Sequence, residues 1–353
     1  MRVVVVGASG NVGTAVLRRL AREDRVDAVT GVARRVPGGA PGEPYDGVEW
    51  HAVDVGADGA VGALTDVFAG AGAVIHLAWQ IQPSHDRTAI RATNVTGTAH
   101  VAQAAVRASV PALVVASSVG AYAPGPKDER VGEDWPVTGV PGSSYSRDKA
   151  DVEALLDNVE DDHPQLRVVR MRPGLIFQRS AAAEIARYFV GPLAPLQLLR
   201  LGRLPVVPYH PALRVQAEHA DDVAEAYTRA VLSDVSGAFN LAADPVLDGP
   251  RIAGRYGGRA VPVPLTVLRL GASLSWHARL QPTEPGWLRL AQSAPLLSTA
   301  RAEKELGWRP RVDALAALDE LLDGMGRGTG AAAPPLRPRG LADLRVPGHG
   351  NPY

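Results

Sequence analysis

The first thirteen residues constrain the fold of this chain more than any other stretch. Arg2, Val3, Val4, Val5 and Val6 form a short β-branched run with no polar face, the pattern of a strand buried on both sides of a parallel sheet. The run leads directly into Gly7-Ala8-Ser9-Gly10-Asn11-Val12-Gly13, and residues 14–22 then carry helical periodicity. Strand, glycine turn and helix follow in the order required of a nucleotide-binding βαβ unit. In such a unit Gly7 permits the tight turn, Gly10 lets the main chain approach a pyrophosphate, and Gly13 lets helix and strand pack closely, with the helix N-terminus facing the anion. The spacing is GxxGxxG rather than GxGxxG, so the flanking strand and helix carry the assignment as much as the glycines do.

Further strands are read at 28–33, 48–53, 73–78, 112–117 and 167–171, separated by helical patterns that include 87–108 and 144–158. This alternation predicts an α/β fold, a Rossmann-type doubly wound parallel sheet with helices on both faces. Ligands of such sheets collect at the carboxyl ends of the strands. His76-Leu77-Ala78 and Ser117-Ser118 end two of those strands and are expected to line the crevice. A chain of 353 residues is long enough for one large or two modest domains. The expected division is a dinucleotide-binding domain over 1–172, to which 215–241 returns, and a smaller C-terminal substrate-binding domain from 173–214 and 242–322. The proline- and glycine-rich stretch 323–353 reads as a flexible tail.

The chemistry is suggested by Tyr145-Ser146-Arg147-Asp148-Lys149. On a helix the i,i+4 spacing places the phenol and the ammonium on one face. A free phenol, with a pKa near ~10, carries protons poorly at neutral pH, and an adjacent cation is expected to lower that value. Tyr145 would then exchange a proton with a substrate hydroxyl or carbonyl oxygen.

Composition removes other classes of function. Lys+Arg and Asp+Glu are equal at 37 each, so no global pull toward nucleic acid or an anionic membrane is expected. There is no Cys, and the 9 His lack HExxH or HxH spacing, so disulfides, thiolate sites and a metal centre are not expected. The apolar start is too short for a signal peptide or a membrane span, which makes the cytoplasm the expected compartment.

Taken in order, these motifs resemble the extended short-chain dehydrogenase/reductases, the group often called the NAD-dependent epimerase/dehydratase family. The resemblance rests on the glycine turn, Asp54, His76-Leu77-Ala78, Asn94-Val95-Thr96-Gly97-Thr98, Ser117-Ser118 before Tyr122, and Tyr145 with Lys149. It continues through Arg172-Pro173-Gly174, His219-Ala220-Asp221-Asp222-Val223 and Glu305-Leu306-Gly307-Trp308. It implies an enzyme in which Ser118, Tyr145, Lys149 and Asn94 form the catalytic set, with Asn94 equally readable as a bridge between helix and sheet backbone. It further implies that Gly7, Ser9, Gly10, Asn11, Val12 and Gly13 hold the pyrophosphate, that Asp54 and Val55 lie beside the adenine, and that Leu77, Ala78, Lys149, Arg172 and Pro173 lie toward the nicotinamide ribose and ring. Asp221 and Asp222 are expected to cap a helix, and Trp308 to sit in the core. A homodimer formed through the helices at 87–108 and 144–158 is implied by the resemblance alone.

Where the family's dehydratases follow the reactive hydroxyl residue with Asp-Glu, this chain has Val119-Gly120, so elimination of water is not expected. Leu175 stands where sugar-nucleotide members often carry Asn. The Leu-, Val- and Pro-rich run 188–208, with Arg187, Arg200, Arg203 and His210 as phosphate candidates, suggests a pocket more apolar than a nucleotide-sugar site or a run that merely packs the second domain. Three readings stand: an NAD(P)-dependent oxidoreductase acting at an alcohol or carbonyl carbon, a sugar-nucleotide epimerase that retains its cofactor, and a non-catalytic dinucleotide-binding redox sensor. Strand two ends Gly31-Val32-Ala33-Arg34-Arg35, with Ala33 where an NAD site usually places a carboxylate. A preference for NADP over NAD is therefore expected, with Arg34 the principal contact to the 2′-phosphate and Arg35 secondary.

Overall fold

The architecture is that of a computed structural model, which describes residues 1–81, 86–191, 196–277 and 284–340. Seven parallel strands form the central sheet: β1 (Arg2–Val6), β2 (Ala28–Ala33), β3 (Val48–Ala52), β4 (Ala73–His76), β5 (Ala112–Ala116), β6 (Arg167–Pro173) and β7 (Gly237–Leu241). Their order is β3-β2-β1-β4-β5-β6-β7, a doubly wound sheet whose crossover places the carboxyl ends of β1 and β4 side by side. The unbroken valine run of β1 is explained by the two faces it serves. Val3 and Val5 enter one hydrophobic cluster while Val4 and Val6 enter the other. β5 divides in the same way, with Ala112 and Val114 on one face and Leu113 and Val115 on the other.

The helices that matter for the site are α1 (Asn11–Leu20), α2 (Gly97–Arg107), α3 (Ser144–Asp162), α4 (Ala220–Val231), α5 (Pro285–Ser293) and α6 (Ala314–Arg327). α1 and α4 cover one face of the sheet, α2 and α3 the other. α4 is capped by the His219 side chain, which accepts from the Asp221 amide at 3.2 Å, rather than by the aspartates expected to do so. Asp222 instead accepts the Arg311 and Val312 amides, and Trp308, fully buried, donates to the Asp222 carbonyl at 2.7 Å. Val215–His219, read from sequence as part of the segment returning to the main sheet, pairs instead with Leu175–Phe177 and Ala243–Leu247 in a separate three-stranded sheet.

The tail corrects the sequence reading most clearly. α6 runs to Arg327, Gly328 takes the left-handed conformation that ends it, and the chain folds back on itself. The Ala331 amide donates to Leu336 O at 2.7 Å, and the Arg339 amide donates to Gly328 O at 3.1 Å. Ala333 and Leu336 are fully buried, and the Arg187 guanidinium donates to the carbonyls of Pro335 and Arg337. Proline lowers the cost of ordering such a segment, and glycine admits the left-handed conformation that turns it, so their abundance signalled a tight turn here, not freedom. The rest of the expected tail, 341–353, lies outside the described residues, as do 192–195 of the apolar run. Leu336→Ala is expected to cost about 2–5 kcal/mol, as for other buried leucines, and deletion from residue 328 onward to lower the thermal midpoint by several degrees. An unchanged midpoint after the deletion would mean the segment is not held in its seat.

Candidate active site

The turn after β1 is fixed by close approach. Gly7 holds φ at +86°, and a Cβ there would lie 2.5 Å from the Ala78 nitrogen and 2.7 Å from the Leu77 carbonyl carbon. A Cβ at Gly13 would meet Gly7 O at 2.3 Å. Gly10 differs, because the nearest atom to its Cβ position is Gly7 O at an ordinary 3.5 Å. Its missing side chain leaves open space at the start of α1. No side chain caps α1, so the first-turn amides are left for an anion. The Gly7 and Ala8 amides both donate to Val32 O, which ties the turn to β2 and brings the exposed Arg34 and Arg35 to its rim.

The other residues expected around a dinucleotide are arranged around this turn. Ser9 is buried, and Val12 packs partly buried against the core. The Asn11 amide donates to Ile176 O and accepts from Gln178 Nε2 at 2.7 Å, so its side chain holds α1 to the strand Leu175–Phe177. Asp54 Oδ1 accepts the Gly56 amide at 3.0 Å. Val55 is buried, with Gly97 packed against its side chain and His100 Nδ1 2.8 Å from its carbonyl.

α3 begins at Ser143, whose hydroxyl accepts from the Ser146 amide, and this cap places Tyr145 in the first turn. The phenol ring lies against Gly120, where a Cβ would be 2.7 Å from Tyr145 Cε1 and 3.4 Å from Ser118 Oγ. Glycine at position 120 thus lets the ring reach Ser118, whose Oγ accepts the Gly120 amide at 3.0 Å. Burial pushes the Tyr145 phenol up to about 12, and the Ser118 hydroxyl offsets part of that.

Lys149, only 2 % exposed, donates to Ala116 O at 2.6 Å and lies 3.4 Å above the Trp79 ring. Its nitrogen is 5.9 Å from the Tyr145 ring centre. Burial pushes the ammonium down to about 7, against the upward pull of Glu153 and Asp148. The expected lowering of the tyrosine pKa by the lysine is therefore corrected. The cation is committed to a carbonyl and an indole face, and burial sets the phenol.

Two more of the expected residues have side chains committed to the protein itself. Arg172 is sealed: its Nε and Nη2 donate to the two Glu153 oxygens at 2.8 and 2.9 Å, and its Nη1 donates to Tyr122 and to Glu133 O. Its side chain is a strut, and the contact expected of this segment with the nicotinamide side falls to the main chain around 172–174. The neighbouring Pro173 is buried where β6 pairs with β7. Asn94 lies in a π-helical turn, Ala92–Thr96, and clasps the Gln80 main chain, accepting its amide at 2.7 Å and donating to its carbonyl at 3.0 Å. Asn94 is accordingly a positioning group for the chain leaving β4. Thr98 donates to Asn94 O and so accepts from His76 Nε2 at 3.0 Å, which leaves His76 Nδ1 unprotonated. Burial and then Lys149 push that imidazole down to about 3.

The aromatic surroundings of Tyr145 went unread in the sequence. Trp79 meets the phenol edge-on at 6.0 Å, Trp287 of α5 lies over it at 4.6 Å, and Phe189 packs on Trp287 at 5.1 Å. Trp79 directly follows the Leu77-Ala78 motif and was open to recognition; Phe189 and Trp287 carry no local signal.

The profile described as NAD dependent epimerase/dehydratase family matches residues 3–242. An uncharacterized protein of Mycobacterium tuberculosis is 25% identical over 243 residues, 67% of this chain and 61% of that protein. The chain thus spans about three fifths of the length of that curated relative. The L-arabinose 1-dehydrogenase (NAD(P)(+)) of Haloferax volcanii is 29% identical over 204 residues, 53% of this chain and 74% of that protein. Among solved structures, the UDP-glucose 4-epimerase of Thermus thermophilus in complex with NAD aligns with a TM-score of 0.65 and 21% identity, covering 93% of this chain and 99% of that one. The dTDP-glucose 4,6-dehydratase of Streptomyces venezuelae with NAD and TYD bound aligns with a TM-score of 0.66 and 19% identity, covering 92% and 96%.

The lysine gives the site a pH signature. Its folded value of about 7 lies below the ordinary 10.5, so between the two the unfolded chain binds the proton that the fold gives up. The stability linked to Lys149 is full above the unfolded value, declines as the pH falls from there, and is lost once the pH has fallen through the folded one. Urea midpoints measured across that window are expected to rise with pH in the parent and to flatten in Lys149→Met. An equal rise in the variant would assign the slope to other groups.

Proposed function

The chain belongs to the NAD-dependent epimerase/dehydratase family, and on that footing we propose that it is a dinucleotide-dependent oxidoreductase acting at an alcohol or carbonyl carbon, with Tyr145 as general acid and base. The observation that carries the reading is the packing of Tyr145 on Gly120, which sets the phenol beside the Ser118 hydroxyl with Lys149 buried one turn along. The open space at Gly10 and the uncapped start of α1 fit a pyrophosphate. When bound, the dinucleotide supplies or accepts the hydride. Ser118 holds the reacting oxygen by a hydrogen bond, and Tyr145 delivers or removes its proton. Burial keeps the phenol protonated at neutral pH, so in the carbonyl-to-alcohol direction Tyr145 is the donor to the oxygen gaining negative charge. Lys149 keeps the neighbouring backbone in place through Ala116 O, and we assign an N–H not used by that bond to the ribose hydroxyls.

The position after Ser118, Val119-Gly120, offers no acid and base for eliminating water, and a dehydrogenase among the relatives supports net redox chemistry. We assign substrate binding to the elements outside the seven-stranded sheet, including α5. Tyr145→Phe is expected to lower kcat by ~10²–10⁴-fold while the dissociation constant of the dinucleotide stays nearly unchanged. Bulk absorbance of the reduced nicotinamide is the readout, and it also separates net redox turnover from epimerisation. Turnover of the Phe variant at the parental rate would exclude Tyr145 as the proton carrier.

Cofactor choice rests on Ala33, Arg34 and Arg35 at the end of β2, where no carboxylate stands to repel a 2′-phosphate. NADP is expected to bind more tightly than NAD, and Arg34→Ala to weaken NADP by about ten- to a hundredfold, the range of a charged hydrogen bond. Equal affinities in the parent, measured by calorimetric titration, would refute the preference.

A further inference from the structure

The surroundings of Tyr145 point to a substrate class. Aromatic residues make up only 5% of the chain, yet the phenol of Tyr145 on α3 meets two other rings, Trp79 after β4 and Trp287 of α5, and Phe189 adds a third behind Trp287. Trp287 lies 4.6 Å from the Tyr145 ring at an interplanar angle of 36°, and Trp79 stands at 77° on another side. Phe189 braces Trp287 edge-on, at 86°. These are the offset and edge-to-face geometries that aromatic rings prefer. The Trp79 Nε1 atom is buried and has no acceptor among the described residues, a donor left for an incoming oxygen. Of the basic groups considered for a diphosphate, Arg187 is turned to the main chain of the C-terminal segment. Its guanidinium donates to Pro335 O and Arg337 O.

We infer that the substrate is a carbonyl compound bearing a flat aromatic ring, received between Trp79 and Trp287 with its carbonyl at Tyr145 and Ser118. The inference rests on the reading of Tyr145 as the proton carrier. In the reaction the carbonyl carbon gains a hydride from the reduced nicotinamide and the oxygen gains the Tyr145 proton, which solvent restores. The products are an arylcarbinol and the oxidised dinucleotide. Trp287 is then a specificity-determining residue, recognising the ring and leaving the chemistry to Tyr145.

The test compares 4-nitrobenzaldehyde with hexanal, each with NADPH and NADH, and adds UDP-glucose with the oxidised cofactors. The aromatic aldehyde is expected to show the highest kcat/KM. Trp287→Leu should narrow its advantage over hexanal by about two- to tenfold, the worth of one aromatic contact, mainly through KM. Trp287→Phe should keep most of the advantage, and dinucleotide affinity should not move. Equal use of the two aldehydes, or better use of UDP-glucose, would overturn the aromatic site while leaving hydride transfer at Tyr145 standing. A second measurement needs no variant: quenching of indole fluorescence by 4-nitrobenzyl alcohol with NADP bound. If nothing is turned over but saturable quenching occurs, the aromatic site is retained and the oxidoreductase reading falls. Absence of quenching overturns the aromatic site.

Discussion

The bidentate pair between Arg172 and Glu153 is the interaction on which the rest of the site depends. Glu153 lies one helical turn beyond Lys149 on α3, and Arg172 lies on β6, so the pair sets the helix that bears Tyr145 at a fixed height on the sheet. Ser117, at the end of β5, donates to the same carboxylate, and Tyr122 joins Arg172 to Asn240 on β7. Burial alone would raise the Glu153 pKa, but the Arg172 hydrogen bonds and charge outweigh it and hold the carboxyl below its ordinary value. Such a pair contributes little net stability over an apolar substitute, whereas loss of one partner strands the other charge. What it supplies is position: three strands and a helix are referred to one carboxylate.

A second clasp acts on the opposite side of the lysine. The π-helical turn at Ala92–Thr96 inserts one residue into an otherwise continuous helix, as such turns often do beside functional sites. The insertion aims Asn94 at the Gln80 main chain, and so the backbone carrying Trp79 leaves β4 in one direction. The indole lies under the Lys149 ammonium as a result. Between these clasps the lysine is held from both sides, which accounts for its complete withdrawal from water.

The fold was legible in the sequence because its signals are local. A valine run buried on both faces, a glycine at positive φ and a helix without a side-chain cap each leave a mark within a few residues. The proximity of the candidate groups was legible and their electrostatics were not. The i,i+4 spacing places Tyr145 and Lys149 on one face but does not show that Ala116 O and Trp79 compete for the ammonium. The motif at Arg172 marks a main-chain position, while Glu153, the partner of its side chain, follows no motif. Phe189 and Trp287 reach Tyr145 across much of the chain, and no periodicity records a contact of that range. The segment beyond Gly328 was misread because composition reports the propensity to turn and not the surface that receives the turn.

That segment also bears on the order in which the molecule can be made. Ala333 belongs to the same hydrophobic cluster as Val3, Ala15 and Leu17, and its main chain meets the Tyr45 hydroxyl, which itself lies 3.1 Å from Thr14 Oγ. Translation releases β1 and α1 first, yet the surface beside Tyr45 is covered only when Ala333 has cleared the ribosome. An earlier part of the chain is thus completed by a much later one, a contact of high sequence separation and slow closure. A chain that stops before Ala333 would leave that flank of β1 and α1 uncovered, apolar surface open to association with other chains.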